Sequence, residues 1–255
     1  MRVLILSVTA GFGHHATAKA IGDMLTSKGA EVHTLDVYAY ISNLIKNTID
    51  KGYLFSSKHM QTLYRLVYQL AENNGASYFS GAPSIINIIN ALGASKFAKV
   101  LAGYAPDVIL CTHIFAAQMV DELKKRKKLD DITTIGIVTD YTLHPYWEDV
   151  PRVQYIVTAS ELLTYRCVKR GIPERRILPF GIPVHPKFNQ SLSRTDAAAQ
   201  LGIDPNMRTI LLMGGSMGYA DHVKILEKLT SIGLPLQLLV VCGNNKKMQL
   251  RVEQF

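Results

Sequence analysis

Short apolar runs recur along the first two thirds of the chain. Segments 2–8, 30–36, 107–112, 132–138 and 153–158 read as buried strands. Helical patterns, or longer stretches that contain them, separate these runs. Strand alternating with helix predicts an α/β fold with a parallel, doubly wound sheet. The first run, Val3-Leu4-Ile5-Leu6, leads into Ser7-Val8-Thr9-Ala10-Gly11-Phe12-Gly13-His14-His15-Ala16, and a helical pattern continues to Lys28. A second helix is expected within 159–178, opened by Ser160 and Glu161 and closed by Gly171 and Pro173.

Residues 41–104 break the rhythm, being too long for one crossover. Met60, Leu63, Leu66, Val67 and Leu70 recur at helical spacing, with Tyr64 and Tyr68 on an adjoining stripe and Lys58, His59 and Arg65 close by. Ile85, Ile86, Ile88, Ile89 and Leu92 form another apolar cluster. Two readings stay open: a helical insertion that dips into a membrane interface, or helices packed on the sheet.

Pro179, Gly181, Pro183 and Pro186 stiffen a connector, and we expect the domain boundary there, separating 1–185 from 186–255. A further strand–turn–helix–strand unit follows: strand 209–213, the glycine-rich turn Gly214-Gly215-Ser216-Met217-Gly218, helix 220–231, strand 237–242, and a last helical stub after Gly243-Asn244-Asn245-Lys246-Lys247. Two parallel strands do not cover their own faces and edges. The expectation is that this unit docks on the first domain or is the start of a larger domain, the sequence being a C-terminally truncated form of a longer protein.

Composition narrows the class. Hydrophobic residues make up 48% and charged residues 19%, as in a globular chain. No apolar run reaches about 18 residues, and no signal-peptide pattern opens the chain. Three scattered cysteines without a CxxC pair argue for a reducing compartment and against a zinc site. A net charge of +8 admits nucleic acid, an anionic membrane surface or phosphate-bearing substrates as partners. The densest basic run, Lys124-Lys125-Arg126-Lys127-Lys128, reads as a solvated helix end.

The candidate chemistry sits after the strands. Gly11-x-Gly13-x-x-Ala16, with Asp36 twenty residues past Ala16, fits the dinucleotide fingerprint and makes an NAD-dependent oxidoreductase a rival reading. The adjacent histidines and the second glycine turn count against it. His14 and His15 diverge by about 100° on a helix, so one is expected to serve a site and the other to be incidental. An imidazole at the C-terminal end of the first strand can act as a base near neutral pH. Thr139-Asp140-Tyr141-Thr142-Leu143-His144-Pro145-Tyr146-Trp147 and His113 follow two other strands, and Asp140 is placed to orient His14 or a substrate hydroxyl.

Ser7-x-Thr9-Ala10-Gly11-x-Gly13-His14 with Ala16-x-Ala18-x-Ala20-Ile21 resembles the opening of the monogalactosyldiacylglycerol synthase and processive diacylglycerol glucosyltransferase family. These are relatives of the lipid II N-acetylglucosaminyltransferase. The resemblance extends through Val138-Thr139-Asp140 with His144-Pro145 and Trp147, Ala159-Ser160-Glu161 to Gly181-Ile182-Pro183-Val184, and Leu212-Met213-Gly214-Gly215 with Cys242 to Lys247. Phe12 stands where the family often has glycine. The resemblance implies a GT-B architecture: an N-terminal Rossmann-like domain and a second one, here incomplete. It implies transfer of a hexose from a UDP-sugar to membrane diacylglycerol, without metal or cofactor, by an enzyme attached peripherally to the cytoplasmic face of a membrane. His14 and Asp140 would then be catalytic. Gly11, Gly13, His113, His144 and Trp147 would stand on the acceptor side. Gly214, Gly215, Ser216, Gly243 and Asn244 would hold the donor. A catalytically incomplete, membrane-binding fragment of such an enzyme is the alternative within the family.

Overall fold

The computed structural model describes residues 1–8, 12–37, 39–40, 97–98, 100–214 and 221–255. The chain divides into two compact units, Met1–Pro186 and Lys187–Phe255.

In the first unit the described strands are β1 (Arg2–Ser7), β2 (Glu31–Asp36), β3 (Val108–Cys111), β4 (Thr133–Ile137), β5 (Tyr155–Val157) and β6 (Ile177–Leu178). They form one sheet in the order β2-β1-β3-β4-β5-β6, every pair parallel. The expected doubly wound parallel sheet is therefore present. Side chains alternate between the two faces and feed two separate cores. Leu4, Leu6, Ile109, Cys111 and Ile156 point to one core, which also holds Phe97, Leu101 and the inner face of α2 (Ile114–Lys125). Val3, Ile5, Leu110, Ile137 and Val157 point to the other, covered by Ala18, Ile21 and Leu25 of α1 (Phe12–Ser27).

The 41–104 segment lies outside the described residues up to 96, and both readings of it with them. Its described end, 97–98 and 100–104, is helical and contributes Phe97 and Leu101 to the first core.

The stretch 159–178 is not one helix. It comprises α3 (Glu161–Lys169), a 3₁₀ turn at Glu174–Arg176, and β6 at Ile177–Leu178. Gly171, at φ +84°, and Pro173 do stop the helix, but there is still chain enough to add a strand to the sheet.

Trp147 corrects a second expectation. It is 4% exposed and packs in the first core, over β4, instead of standing on the acceptor side. Its ring occupies the space a side chain at residue 136 would take: a Cβ on Gly136 would come within 3.0 Å of the indole Cη2, and closer still to Cζ3. Glycine is thus required by the close approach of Trp147 to the strand. Gly136→Ala should destabilise the first unit by about 1–3 kcal/mol through overpacking, read as a lowered urea midpoint with unchanged slope.

The second unit contains α4 (Arg194–Leu201), β7 (Arg208–Met213), α5 (His222–Thr230), β8 (Leu236–Val241) and α6 (Lys246–Glu253). β7 and β8 pair in parallel. Leu211 and Met213 on β7 and Val241 on β8 remain more than 40% exposed, as expected of a two-stranded piece.

Candidate functional site

The C-terminal edge of the first sheet gathers the polar residues that follow its strands. α1 begins at Phe12, just past β1, so its first turn presents backbone N–H groups and the positive end of the helix dipole at this edge. Gly13 lies in that turn with nothing within 4 Å of where its Cβ would be. Packing does not require glycine there; the space beside the helix end is open. Gly11 lies outside the described residues.

His14 is the centre of the site. Its Nδ1 lies 2.9 Å from the Thr112 carbonyl oxygen and 2.8 Å from Thr139 Oγ1. A carbonyl only accepts, so Nδ1 carries the proton and donates to Thr112, with Thr139 Oγ1 sharing it. The lone pair then resides on Nε2. Burial lowers the His14 pKa below its usual 6.5; the Thr112 hydrogen bond and the Asp140 charge partly offset this, and His15 adds to it. A neutral imidazole with a defined basic nitrogen results.

Asp140 is exposed and acts on His14 through its charge. The orientation of His14, one of the two roles expected of it, falls instead to Thr112 and Thr139, at the ends of β3 and β4. Both threonines are visible in the sequence, but a backbone carbonyl leaves no residue-type signal, and Thr139 reads equally well as a turn residue.

His113 stands edge-on to His14, ring centroids 4.5 Å apart. It is 7% exposed and caps α2: its Nδ1 accepts the Phe115 N–H at 3.2 Å. Its proton is therefore on Nε2. Burial, with His14 and His144 nearby, drives its pKa well below 6.5. His144 repeats the device, its Nδ1 accepting Tyr146 N–H at 3.3 Å to cap the 3₁₀ turn Pro145–Asp149. Ring contacts run from His113 to Phe115, Tyr146 and His144. The structure thus brings His14, His113, Thr139 and His144 to one edge and leaves Trp147 in the core behind it.

His15 is not idle. Its Nε2 lies 3.3 Å from Asp36 Oδ2, while Asp36 Oδ1 accepts the Ala39 N–H at 3.0 Å. The carboxylate that completes the dinucleotide fingerprint is thus engaged within the protein.

In the second unit Gly214 follows β7 and Gly243 follows β8. The register Met213↔Val241 puts them on one edge of the two-stranded sheet. Gly243 (φ +58°) and Asn244 are exposed, and Asn245 Oδ1 caps α6 through Met248 N–H at 3.0 Å. Gly215 and Ser216 lie outside the described residues. α5 starts only at His222, with the Asp221 carboxylate accepting the Lys224 N–H. Among the described residues no helix is long and apolar enough to cross a membrane.

The sequence model of the family described as monogalactosyldiacylglycerol (MGDG) synthase matches residues 14–184, well over half of the chain. The chain is 29% identical over 265 residues to the chloroplastic monogalactosyldiacylglycerol synthase of Spinacia oleracea, covering 97% of itself and 48% of that protein. It is 26% identical over 252 residues to the processive diacylglycerol beta-glucosyltransferase of Bacillus pumilus (strain SAFR-032), covering 97% of itself and 62% of that protein. The chain therefore spans about half to three fifths of the length of these relatives. Among solved structures, MurG of Acinetobacter baumannii aligns with a TM-score of 0.54 at 14% identity, over 98% of this chain and 63% of that one. A glycosyltransferase from Rickettsia africae ESF-5 aligns with a TM-score of 0.51 at 13% identity, over 99% and 64%. The fold is that of GT-B glycosyltransferases.

Proposed function

Because this chain belongs to the monogalactosyldiacylglycerol synthase family, we propose that it contributes to transfer of a hexose from a nucleotide sugar, a UDP-sugar by its family resemblance, to membrane diacylglycerol. The observation that carries the reading is the state of His14. Nδ1–H is committed to the Thr112 carbonyl, so Nε2 is the basic nitrogen, and burial keeps the ring neutral at neutral pH.

In this reading His14 Nε2 takes the proton of the diacylglycerol hydroxyl as its oxygen attacks the anomeric carbon. The bond from that carbon to the departing diphosphate breaks, and the configuration inverts. The positive end of α1 favours negative charge gathering at the edge. Gly214, Gly243 and Asn244 are the described positions assigned to the donor, with Gly215 and Ser216 following Gly214 in sequence. Peripheral attachment to an anionic, cytoplasmic membrane face belongs to the same reading; it is supported by the net charge of +8 and by three free cysteines.

The test is transfer from UDP-galactose and UDP-glucose to diacylglycerol dispersed in detergent, followed by lipid chromatography. A glycosyl-diacylglycerol product is expected; no product from either donor, with any continuation of the chain included, would remove the reading. Gly13 offers a second check. Gly13→Ala should leave the thermal midpoint unchanged or raise it, since alanine is the better helix former. It should lower kcat/KM about ten- to a hundredfold, because its methyl group enters the open space where the acceptor must approach closely.

A further inference from the structure

α3 has one face that the first unit does not use. Leu163 and Cys167 turn inward and are buried. Leu162, Tyr165, Arg166 and Lys169 fall within about 100° of one another on the opposite side, at the three- and four-residue spacings of a single face. Leu162 is 85% exposed and Tyr165 72%. A third large apolar group joins them. Thr158, just before α3, accepts the Gly181 N–H at 3.0 Å and donates its own N–H to Leu178 O at 3.0 Å. These bonds hold Phe180, 76% exposed, beside the start of the helix. Single exposed hydrophobic residues are ordinary; three clustered on one surface are not.

The charge around them is predominantly positive. Residues 161–176 contain the cations Arg166, Lys169, Arg170, Arg175 and Arg176 against Glu161 and Glu174. Arg170 is paired with Glu148, and Arg176 donates to the Val150 and Val153 carbonyls. Arg166 and Lys169, on the same exposed face as Tyr165, have no carboxylate partner among the described residues, and Glu161 borders Tyr165 on its other side. An apolar strip that carries two unpaired cations complements an anionic lipid surface: the apolar side chains enter the acyl boundary and the cations meet the headgroups. The position fits as well. α3 starts past the C-terminal end of β5, and β5 neighbours β4, whose end carries Thr139. The start of α3, with Leu162, therefore lies at the same edge of the sheet as His14, and Tyr165, Arg166 and Lys169 follow as the helix runs back along the sheet.

We infer that the outer face of α3, formed by Leu162, Tyr165, Arg166 and Lys169 together with Phe180, is a docking surface for an anionic lipid bilayer. This rests on the reading that the acceptor is a membrane lipid, and it assigns the contact to a surface outside the 41–96 stretch.

The test is flotation of the whole chain with vesicles of equal parts phosphatidylcholine and phosphatidylglycerol, and with phosphatidylcholine alone. Both Leu162→Ser/Tyr165→Ser and Arg166→Gln/Lys169→Gln change only exposed side chains, so their thermal midpoints should match the parent. The first pair should weaken binding to anionic vesicles at least about tenfold. The second should weaken it about fivefold for each cation removed and reduce its salt dependence. Equal binding by parent and variants overturns the inference. So does a parent that glycosylates diacylglycerol in detergent but floats with neither vesicle, a result that leaves the proposed function standing. Loss of self-association in the variants, with vesicle binding intact, also overturns it by making α3 a contact between copies. Vesicle binding that depends on α3, without transfer from either UDP-hexose, supports the surface and counts against the function.

Discussion

His14→Ala lowers kcat for hexose transfer by about 10²–10⁴-fold, the usual worth of a positioned general base. Because proton removal matters only as the new bond forms, kcat and kcat/KM should fall together and KM should stay close to the parent value. The pH profile distinguishes a base from a residue that merely fills space. Burial lowers the His14 pKa below 6.5, so the acid limb of kcat/KM should lie below pH 6.5, where the imidazole becomes protonated and loses its lone pair. The Asp140 charge pulls that pKa up and the His15 charge pushes it down. Asp140→Asn should therefore move the acid limb to lower pH, and His15→Asn should move it to higher pH. Steady-state rates across this range are the measurement. An acid limb that stays in place in both variants would take the role of base away from His14.

The sheet was legible in the sequence wherever an element was long or strongly patterned. The runs around Val3–Leu6, Ile109–Cys111 and Ile135–Ile137 are apolar on both sides, as buried parallel strands must be, and each was placed within a residue or two. β6 was missed because Ile177-Leu178 is too short to show any period and lies between a helix stop and Pro179. α4 was missed although its signals were present. Ser193 Oγ accepts the Asp196 N–H at 3.0 Å, and Gly202 closes the helix at φ +66°. Its apolar pattern, Arg-Thr-Asp-Ala-Ala-Ala-Gln-Leu, is too weak to mark a buried face.

For the site, residue types and strand ends picked out His14, His113 and His144, but not what each does. A histidine that caps a helix and one that carries a free lone pair look alike in sequence. The difference lies in which nitrogen meets a backbone N–H and which meets a carbonyl, and only the packed structure decides that. Trp147 was misread for a related reason. The resemblance puts it on the acceptor side, whereas the absence of a side chain at Gly136, one strand back, admits the ring to the core.

The first unit should lose stability on acidification below about pH 6.5, and His113 should contribute to the loss. Its Nδ1 must stay unprotonated to cap α2, and the ring is almost wholly buried, so the folded protein holds it neutral well below the pH at which a free histidine protonates. In the unfolded chain the imidazole takes its proton near pH 6.5. Below that value the unfolded state binds more protons than the folded one, so unfolding becomes easier as pH falls; above it the two states match and the dependence vanishes. The slope can reach about 1.4 kcal/mol per pH unit for one such group. His14, shifted in the same direction but less buried, adds a smaller share. His113→Asn separates the cap from the titration. Asparagine caps a helix at least as well, through an oxygen that does not protonate in this range. The variant should stay close to the parent at about pH 7.5 and lose about 1–2 kcal/mol less by about pH 5 in urea unfolding. If the acid slope is the same in parent and variant, the neutral, buried state of His113 is not what makes this edge of the sheet sensitive to acid.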